Sequence, residues 1–368
     1  MRVAILGHRG IPARYGGFET LAEQLGVRLA ERGHEVTVYV RRRYASPGLA
    51  EYQGVRLVTL PSIAHKYLDT PAHTTLASLH ALFQGFDAVL LLNAANAFLV
   101  PLLRLSGAKV ALNVDGIEWK RKKWGKLGRL VYRISERLAS VMPADIVTDA
   151  RAIERYYLKT YHAISSYIAY GSPEGPVATR EALDRVGLSP GRYVLYVSRL
   201  EPENNALAVV RAFEGLATER RLAVVGDAPY SDAYIAELKS TKDPRVLFPG
   251  AIFGAGYAEL QSHAWAYVHA TEVGGTHPAL VEAMGYGNAV LCHRNEENEE
   301  VLGDAGLYFD AADPATLTRE LGRLQDDETL WRSLRERARR RARERYSWSE
   351  ITRQYERLFE SMIVPGVL

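Results

Sequence analysis

RVAILGHRGIPARYGGFETLAEQLGVRLAERG, residues 2–33, contains one complete unit of the fold. It opens on an uninterrupted apolar run at 3–7, passes through a glycine-rich loop at 7–19 and ends in an amphipathic segment at 20–32. In that segment Leu21, Leu25 and Leu29 recur on one stripe, and Gly33 is a stop signal. A strand that is apolar throughout, rather than alternating, is one covered on both faces. The same cadence repeats outward from here. Apolar runs follow at 36–40, 55–60, 88–92, 110–114, 146–148 and 167–169, and again at 193–197, 222–225, 246–248, 266–269, 289–292 and 307–309. Helical periodicity lies between them, which predicts an α/β chain of two doubly wound, Rossmann-like domains in series. The cadence breaks at 171–190, where GSPEGP reads as a linker. The expected domains are therefore residues 1–172 and 173–346. From about 317 to 362 the chain reads as consecutive helices, and the segment 347–368 is expected to cross back to the first domain.

A length of 368 residues suits two domains of roughly 150–200 each. With 47% hydrophobic and 24% charged residues, the chain belongs with globular rather than disordered sequences. No run approaches the roughly 18 apolar residues of a membrane span. The sequence enters a strand without a charged leader, so a secretory signal is not expected and a cytoplasmic location is. Cys292 is the only cysteine, which excludes an intramolecular disulfide and a multi-cysteine metal site. The ten histidines have no HExxH spacing, and neither Asp-x-Asp nor G-x-S-x-G occurs, so zinc and triad hydrolases have no support and no metal site is expected.

The net charge of +3 conceals a split: residues 1–172 carry 23 basic and 13 acidic side chains, residues 173–368 carry 23 and 30. A basic half suits an anionic partner. Within the acidic half, eight arginines crowd into 332–345, and a solvated face is the expectation for most of them.

Four motifs carry chemistry. The loop GHRGIPARYGGFE at 7–19 is not a dinucleotide fingerprint. Gly16 and Gly17 stand just before a helix, where backbone N–H groups favour an anion or a sugar hydroxyl; the alternative is a plain strand–helix turn. NVDGIEW at 113–119 puts Asp115 and Glu118 at the carboxyl end of a strand, where a carboxylate could take a proton from a hydroxyl; Asp-Gly is also a common turn. KRKKWGKLGR follows at 120–129, six cations beside Trp119 and Trp124, which suits an anionic membrane surface; no nucleic-acid motif accompanies it, and no nucleic-acid partner is expected. In the second half, VSRLEPENN at 197–205 offers the Arg199 fork to a phosphate. EVGGTHPALVEAM at 272–284 offers Gly274, Gly275 and Thr276 at a helix start as a diphosphate nest, with Glu282 within reach of a ribose diol or simply on the helix surface.

Together these motifs resemble the retaining glycosyltransferases of family 4, which have the GT-B fold of two Rossmann-like domains facing a cleft. PARYGGFE at 12–19 looks like the Pro-x-x-Gly-Gly-x-Glu loop, SRLEPEN at 198–204 like the Gly-Arg-Leu-x-x-x-Lys turn, and 278–287 like the second half of Glu-x7-Glu. More narrowly, the chain resembles a bacterial rhamnosyltransferase-type branch implicated in cell-envelope polysaccharides. The resemblance implies catalytic roles for Asp115, Arg199 and Gly17. It implies substrate contacts for Gly16, Arg14, Glu118, Asn204, Gly275, Thr276, His277, Glu282 and Arg294. No cofactor is implied, since the nucleotide diphosphate sugar is the donor substrate. The acceptor would be a glycan or polyprenyl-diphosphate-linked precursor on the inner face of the cell membrane, and the binding metal-independent. Two positions depart from the family: its phosphate lysine falls at Asn204 and its first glutamate at Gly274. Arg14 or Arg294 is the candidate replacement cation. A GT-B nucleotide-sugar 2-epimerase and a non-catalytic nucleotide-sugar binder are the alternatives.

Overall fold

The computed structural model describes the chain except for residues 15, 66, 67, 121–124, 229, 230 and 365–368. It divides into two compact units, Met1–Tyr170 with Trp348–Leu368, and Gly171–Ser347.

The first unit is built on β1 (Arg2–Leu6), β2 (Glu35–Arg41), β3 (Glu51–Tyr52), β4 (Val55–Leu60), β5 (Ala88–Leu92), β6 (Lys109–Asn113), β7 (Asp145–Thr148) and β8 (Ser166–Tyr167). Their order in the sheet is β3-β4-β2-β1-β5-β6-β7-β8. Every pairing is parallel except β3 with β4. Apolar runs fill the centre: Val3–Leu6 of β1 and all of β5 are buried, as expected for strands covered on both faces. The hairpin strand β3 escapes the sequence reading because two residues carry no period. Its turn is set by Gln53 and Gly54, both at positive φ (48° and 80°), the backbone a two-residue hairpin requires.

After β1 the helix Gly17–Glu31 buries Leu21, Leu25 and Leu29. The last helix, Trp348–Ile363, packs on it and on β6. Glu356 joins them, pairing with Arg32 at 2.5 Å and with His34 Nε2 at 2.7 Å. The Arg28 guanidinium lies over the Trp348 ring, and Asn113 Nδ2 at the end of β6 donates to Tyr355 Oη at 3.2 Å.

The second unit has β9 (Tyr193–Val197), β10 (Arg221–Val225), β11 (Val246–Gly250), β12 (Ala266–His269), β13 (Ala289–His293) and β14 (Gly306–Phe309). All pairings are parallel, in the order β11-β10-β9-β12-β13-β14. Tyr196, Phe213, Leu222, Val268 and Leu291 are among its buried core. The helices Pro314–Asp326 and Glu328–Arg345 belong to this unit.

The arginine-rich helix corrects one expectation. Arg332, Arg340, Arg343 and Arg345 are exposed, but Arg335, Arg337 and Arg341 are not free in solvent. Arg335 Nε donates to the Gly287 carbonyl at 2.7 Å, Arg341 to those of Val301 and Glu300 at 2.6 and 2.8 Å, and Arg337 to that of Asp304 at 2.9 Å. These carbonyls lie at or just beyond the ends of the helices Pro278–Tyr286 and Glu296–Leu302, where backbone acceptors lack intrahelical donors.

Candidate functional site

An open parallel sheet binds ligands where successive connections diverge, outside the carboxyl ends of its strands. In the first unit the divergence lies between β1 and β5, in the second between β9 and β12. The loops after β1, β9 and β12 carry most of the candidate residues.

In the second unit, the loop after β9 presents Arg199, whose Nη1 is 3.6 Å from Glu201 Oε2. Asn204 is buried, and its Nδ2 donates to the Arg199 carbonyl at 2.6 Å while its own carbonyl accepts from Tyr196 Oη at 2.6 Å. The residue at the lysine position thus braces the turn that carries Arg199. Asn205, in the left-handed region at φ 58°, donates through Nδ2 to the Ala270 carbonyl and to Glu272 Oε1, at 2.9 and 3.0 Å. Glu272 N–H donates to the Glu203 carbonyl, so the loops after β9 and β12 are laced together.

Beyond Glu272 come Gly274, Gly275, the buried Thr276 and His277, which precedes the first residue of the helix Pro278–Tyr286. A Cβ on Gly274 would overlap His277 Cε1. The His277 ring also rests 4.9 Å, centroid to centroid, from that of His269 at the end of β12. Burial, with His293 nearby, holds the His269 imidazole down at about 3, so the ring is neutral at physiological pH. Along the same helix Glu282 accepts a 2.6 Å hydrogen bond from Tyr257 Oη. Gln261 Nε2 donates to Tyr257 Oη at 3.0 Å, and Asn288 Nδ2 donates to Gln261 Oε1 at 3.1 Å. Burial raises the Glu282 carboxyl above its ordinary range, and the Tyr257 hydroxyl partly opposes the shift. Arg294 follows β13 and is occupied, pairing with Glu299 at 2.7 Å and lying over the Tyr308 ring.

In the first unit, Gly7 leaves β1 at φ 97°, where a Cβ would overlap the Leu92 carbonyl. The loop that follows is held by carboxylates from the helix after it. Glu19, buried, accepts from Arg9 N–H at 2.8 Å, and Glu23 accepts from Ala13 N–H. Burial raises the Glu19 carboxyl, with Arg9 opposing. Gly16 caps the helix and Gly17 begins it, while Arg14 Nη2 reaches Ser46 Oγ at 3.5 Å. Beneath the loop, buried Arg41 donates to the His8 carbonyl at 3.2 Å, pairs with Asp69 at 2.6 Å and donates to Thr70 Oγ1 at 3.1 Å.

Asp115 lies just after β6 at φ 57°, its N–H donating to Asn113 Oδ1 at 3.0 Å. Glu118 is buried in the short helical turn Glu118–Lys120. Of the basic run at 120–129, residues 121–124, including Trp124, lie outside the described residues. Sequence reasoning missed Arg41, Asn113, Tyr257, Gln261, His269 and Asn288. A histidine or arginine ending an apolar strand was the only available signal, for His269 and Arg41. Among the described residues no three His, Cys, Asp or Glu side chains are grouped to hold a metal ion.

These two units have the GT-B fold. Sucrose-phosphate synthase from Thermosynechococcus elongatus superposes with a TM-score of 0.79 at 18% identity, covering 98% of each chain. Anabaena Alr3699/HepE in complex with UDP-glucose superposes with a TM-score of 0.79 at 16% identity, over 98% of this chain and 100% of that one.

Residues 191–327 match the family described as glycosyl transferases group 1, and residues 90–173 match a domain of unknown function, DUF1972. O-antigen chain mannosyltransferase B of Escherichia coli is 26% identical over 189 residues, 50% of this chain and 49% of that protein. The N-acetylgalactosamine-N,N'-diacetylbacillosaminyl-diphospho-undecaprenol 4-alpha-N-acetylgalactosaminyltransferase of Campylobacter jejuni is 23% identical over 168 residues, 45% of each. Each match therefore spans about half the relative's length.

Proposed function

We propose that this chain is a retaining, metal-independent hexosyltransferase. It moves a sugar from a nucleotide diphosphate donor to a cell-envelope glycan precursor carried on a polyprenyl diphosphate. What supports the reading is that Arg199 and Gly274–His277 stand on the loops after the adjacent strands β9 and β12, where the sheet order diverges, with Glu282 on the helix that follows, inside the stretch matching glycosyl transferases group 1. The Arg199 fork and the backbone N–H groups of the Gly274–His277 loop, just ahead of the helix that begins at Pro278, suit a leaving diphosphate, and Glu282 suits a ribose diol. In the step itself the bond from the anomeric carbon to the diphosphate oxygen breaks and a bond to the acceptor oxygen forms. Asp115 takes or orients the departing hydroxyl proton, and Gly16, Gly17, Arg14 and Glu118 lie on the acceptor side. No protein nucleophile is assigned.

Relatives named for O-antigen and undecaprenol-linked glycans support the acceptor class. The UDP-glucose complex of a neighbour sharing the fold supports the donor class. The branch resemblance adds a deoxysugar such as rhamnose, from dTDP-L-rhamnose, as the transferred unit. We further propose peripheral attachment to the inner face of the cell membrane, where such acceptors reside.

Thermal shift against UDP-, dTDP- and GDP-sugars, followed by product analysis with a polyprenyl-diphosphate glycan, tests the reading. One donor should raise Tm by mass action and yield an elongated acceptor. Conversion of the donor to its epimer without acceptor would establish the epimerase instead. Donor binding with no product from any acceptor would leave a binder.

A further inference from the structure

The helix Lys126–Ala139, KLGRLVYRISERLA, carries three faces where a surface helix normally has two. One is packed: Ser135, Glu136 and Ala139 are buried. Its sole carboxylate is on that face, Glu136 accepting hydrogen bonds from Tyr156 Oη and Tyr161 Oη, both at 2.9 Å. The second face is cationic, with Lys126, Arg129, Arg133 and Arg137 recurring at helical spacing. The third is apolar and turned to solvent. Leu127, Leu130, Val131 and Ile134, at i, i+3, i+4 and i+7, are 75%, 54%, 50% and 52% exposed. Val141, just past the helix, is exposed as well. Large apolar residues aligned on one exposed stripe are not the scattered hydrophobics of an ordinary surface.

We propose that this stripe docks the protein on an anionic lipid bilayer, the leucines, Val131 and Ile134 entering the acyl boundary while the cationic flank lies on the headgroups. An interfacial helix needs this combination of an apolar face with Lys and Arg beside it. Charge complementarity selects a lipid surface over a second copy of the chain, because the same four cations would face one another across a symmetric contact. No helix among the described residues is long and apolar enough to cross a membrane. The helix is also held firmly enough to act as a fixed foot. Glu136 ties it to the Arg151–Tyr161 helix, and the Arg133 guanidinium lies 4.3 Å from the centre of the Trp119 ring. Trp119 follows Glu118 on the segment that begins at Asp115, so docking brings that segment near the headgroups. This last consequence rests on the proposed lipid-linked acceptor; the docking itself does not.

Co-sedimentation of the full chain with phosphatidylglycerol-containing and pure phosphatidylcholine vesicles, without donor or acceptor, is the test. Wild type should bind the anionic vesicles alone. Leu127→Ser/Leu130→Ser/Ile134→Ser should weaken binding about tenfold or more while leaving Tm and donor binding unchanged. Arg133→Gln/Arg137→Gln should weaken it and reduce its salt sensitivity. Absence of vesicle binding, equal binding by all three proteins, or a triple variant that only converts a dimer to a monomer would overturn the proposal. Vesicle binding without sugar transfer would leave the docking surface standing and defeat the transferase reading; transfer without vesicle binding would do the reverse.

Discussion

The imidazole of His277 occupies the space that a side chain at position 274 would need. Gly274 is thus glycine for a packing reason, and the ring that excludes a Cβ lies tilted by 47° against that of buried His269. Gly274→Ala should push the His277 ring off its present rotamer and away from His269. A flexible ring can yield, so the cost in stability should stay near 0.5–1.5 kcal/mol. Donor affinity should fall about tenfold by thermal shift or calorimetry, because the loop facing the nest has moved. Unchanged donor affinity would remove His277 from the site.

Asn204 should not tolerate the lysine that the family pattern has at this position. Its amide braces the Arg199 carbonyl from a buried position, beside donations from Ser198 Oγ at 2.9 Å and Glu201 N–H at 2.7 Å, so Asn204→Ala removes one of three hydrogen bonds at a cost of about 0.5–1.5 kcal/mol. Asn204→Lys should be at least as destabilising, since a buried ammonium has less to bond. Urea denaturation of both variants checks the order, and recovery of stability or donor binding by lysine would refute it.

Burial raises the Glu282 carboxyl, and Tyr257 partly opposes this. A raised pKa in the folded state means the favourable contribution is complete below the unfolded value and is lost as pH rises through the folded one. Tyr257→Phe raises it further, so the variant's Tm deficit should widen as pH rises above the ordinary carboxylate range. Glu282→Gln in the same background should flatten that dependence. A deficit independent of pH would show that Tyr257 acts on packing alone.

Arg41 pairs with Asp69 beneath the loop after β1. Arg41→Ala leaves a carboxylate and the His8 carbonyl without their donor, with an expected loss of about 3–5 kcal/mol. Replacing both partners, Arg41→Met with Asp69→Leu, should recover a large part of it. Hydrogen exchange at residues 8–14 should rise in the single variant only.

Asp115→Asn should lower turnover about a hundredfold or more if the carboxylate handles the acceptor proton. Asparagine accepts positive φ well, so Tm should remain within about one degree of wild type. Turnover within a factor of two of wild type would exclude the role.

Much of this molecule was legible without coordinates because parallel strands covered on both faces announce themselves as short apolar runs. The strand reading at 88–92 coincides with β5, and the run at 3–7 overlaps β1. The two-residue β3 was not legible, nor was the capping role of Arg335 and Arg341, whose carbonyl partners are 40 or more residues away. Motif spacing pointed to the loops containing Arg199, Gly274 and Asp115. It could not tell that Asn204 turns inward, since this depends on where the Arg199 carbonyl points.

Sequence alone therefore determined the α/β class and the division into repeating strand–loop–helix units, because burial on both faces of a sheet is written into local composition. Tertiary structure decided which polar groups meet. Asn113 finds Tyr355 242 positions along the chain, Arg41 finds Asp69, Tyr257 finds Glu282, and the Lys126–Ala139 helix keeps an apolar stripe uncovered. The physical reason is range: periodicity records which side of an element is apolar, whereas a hydrogen bond needs two groups within about 3 Å, a distance that only the folded chain sets.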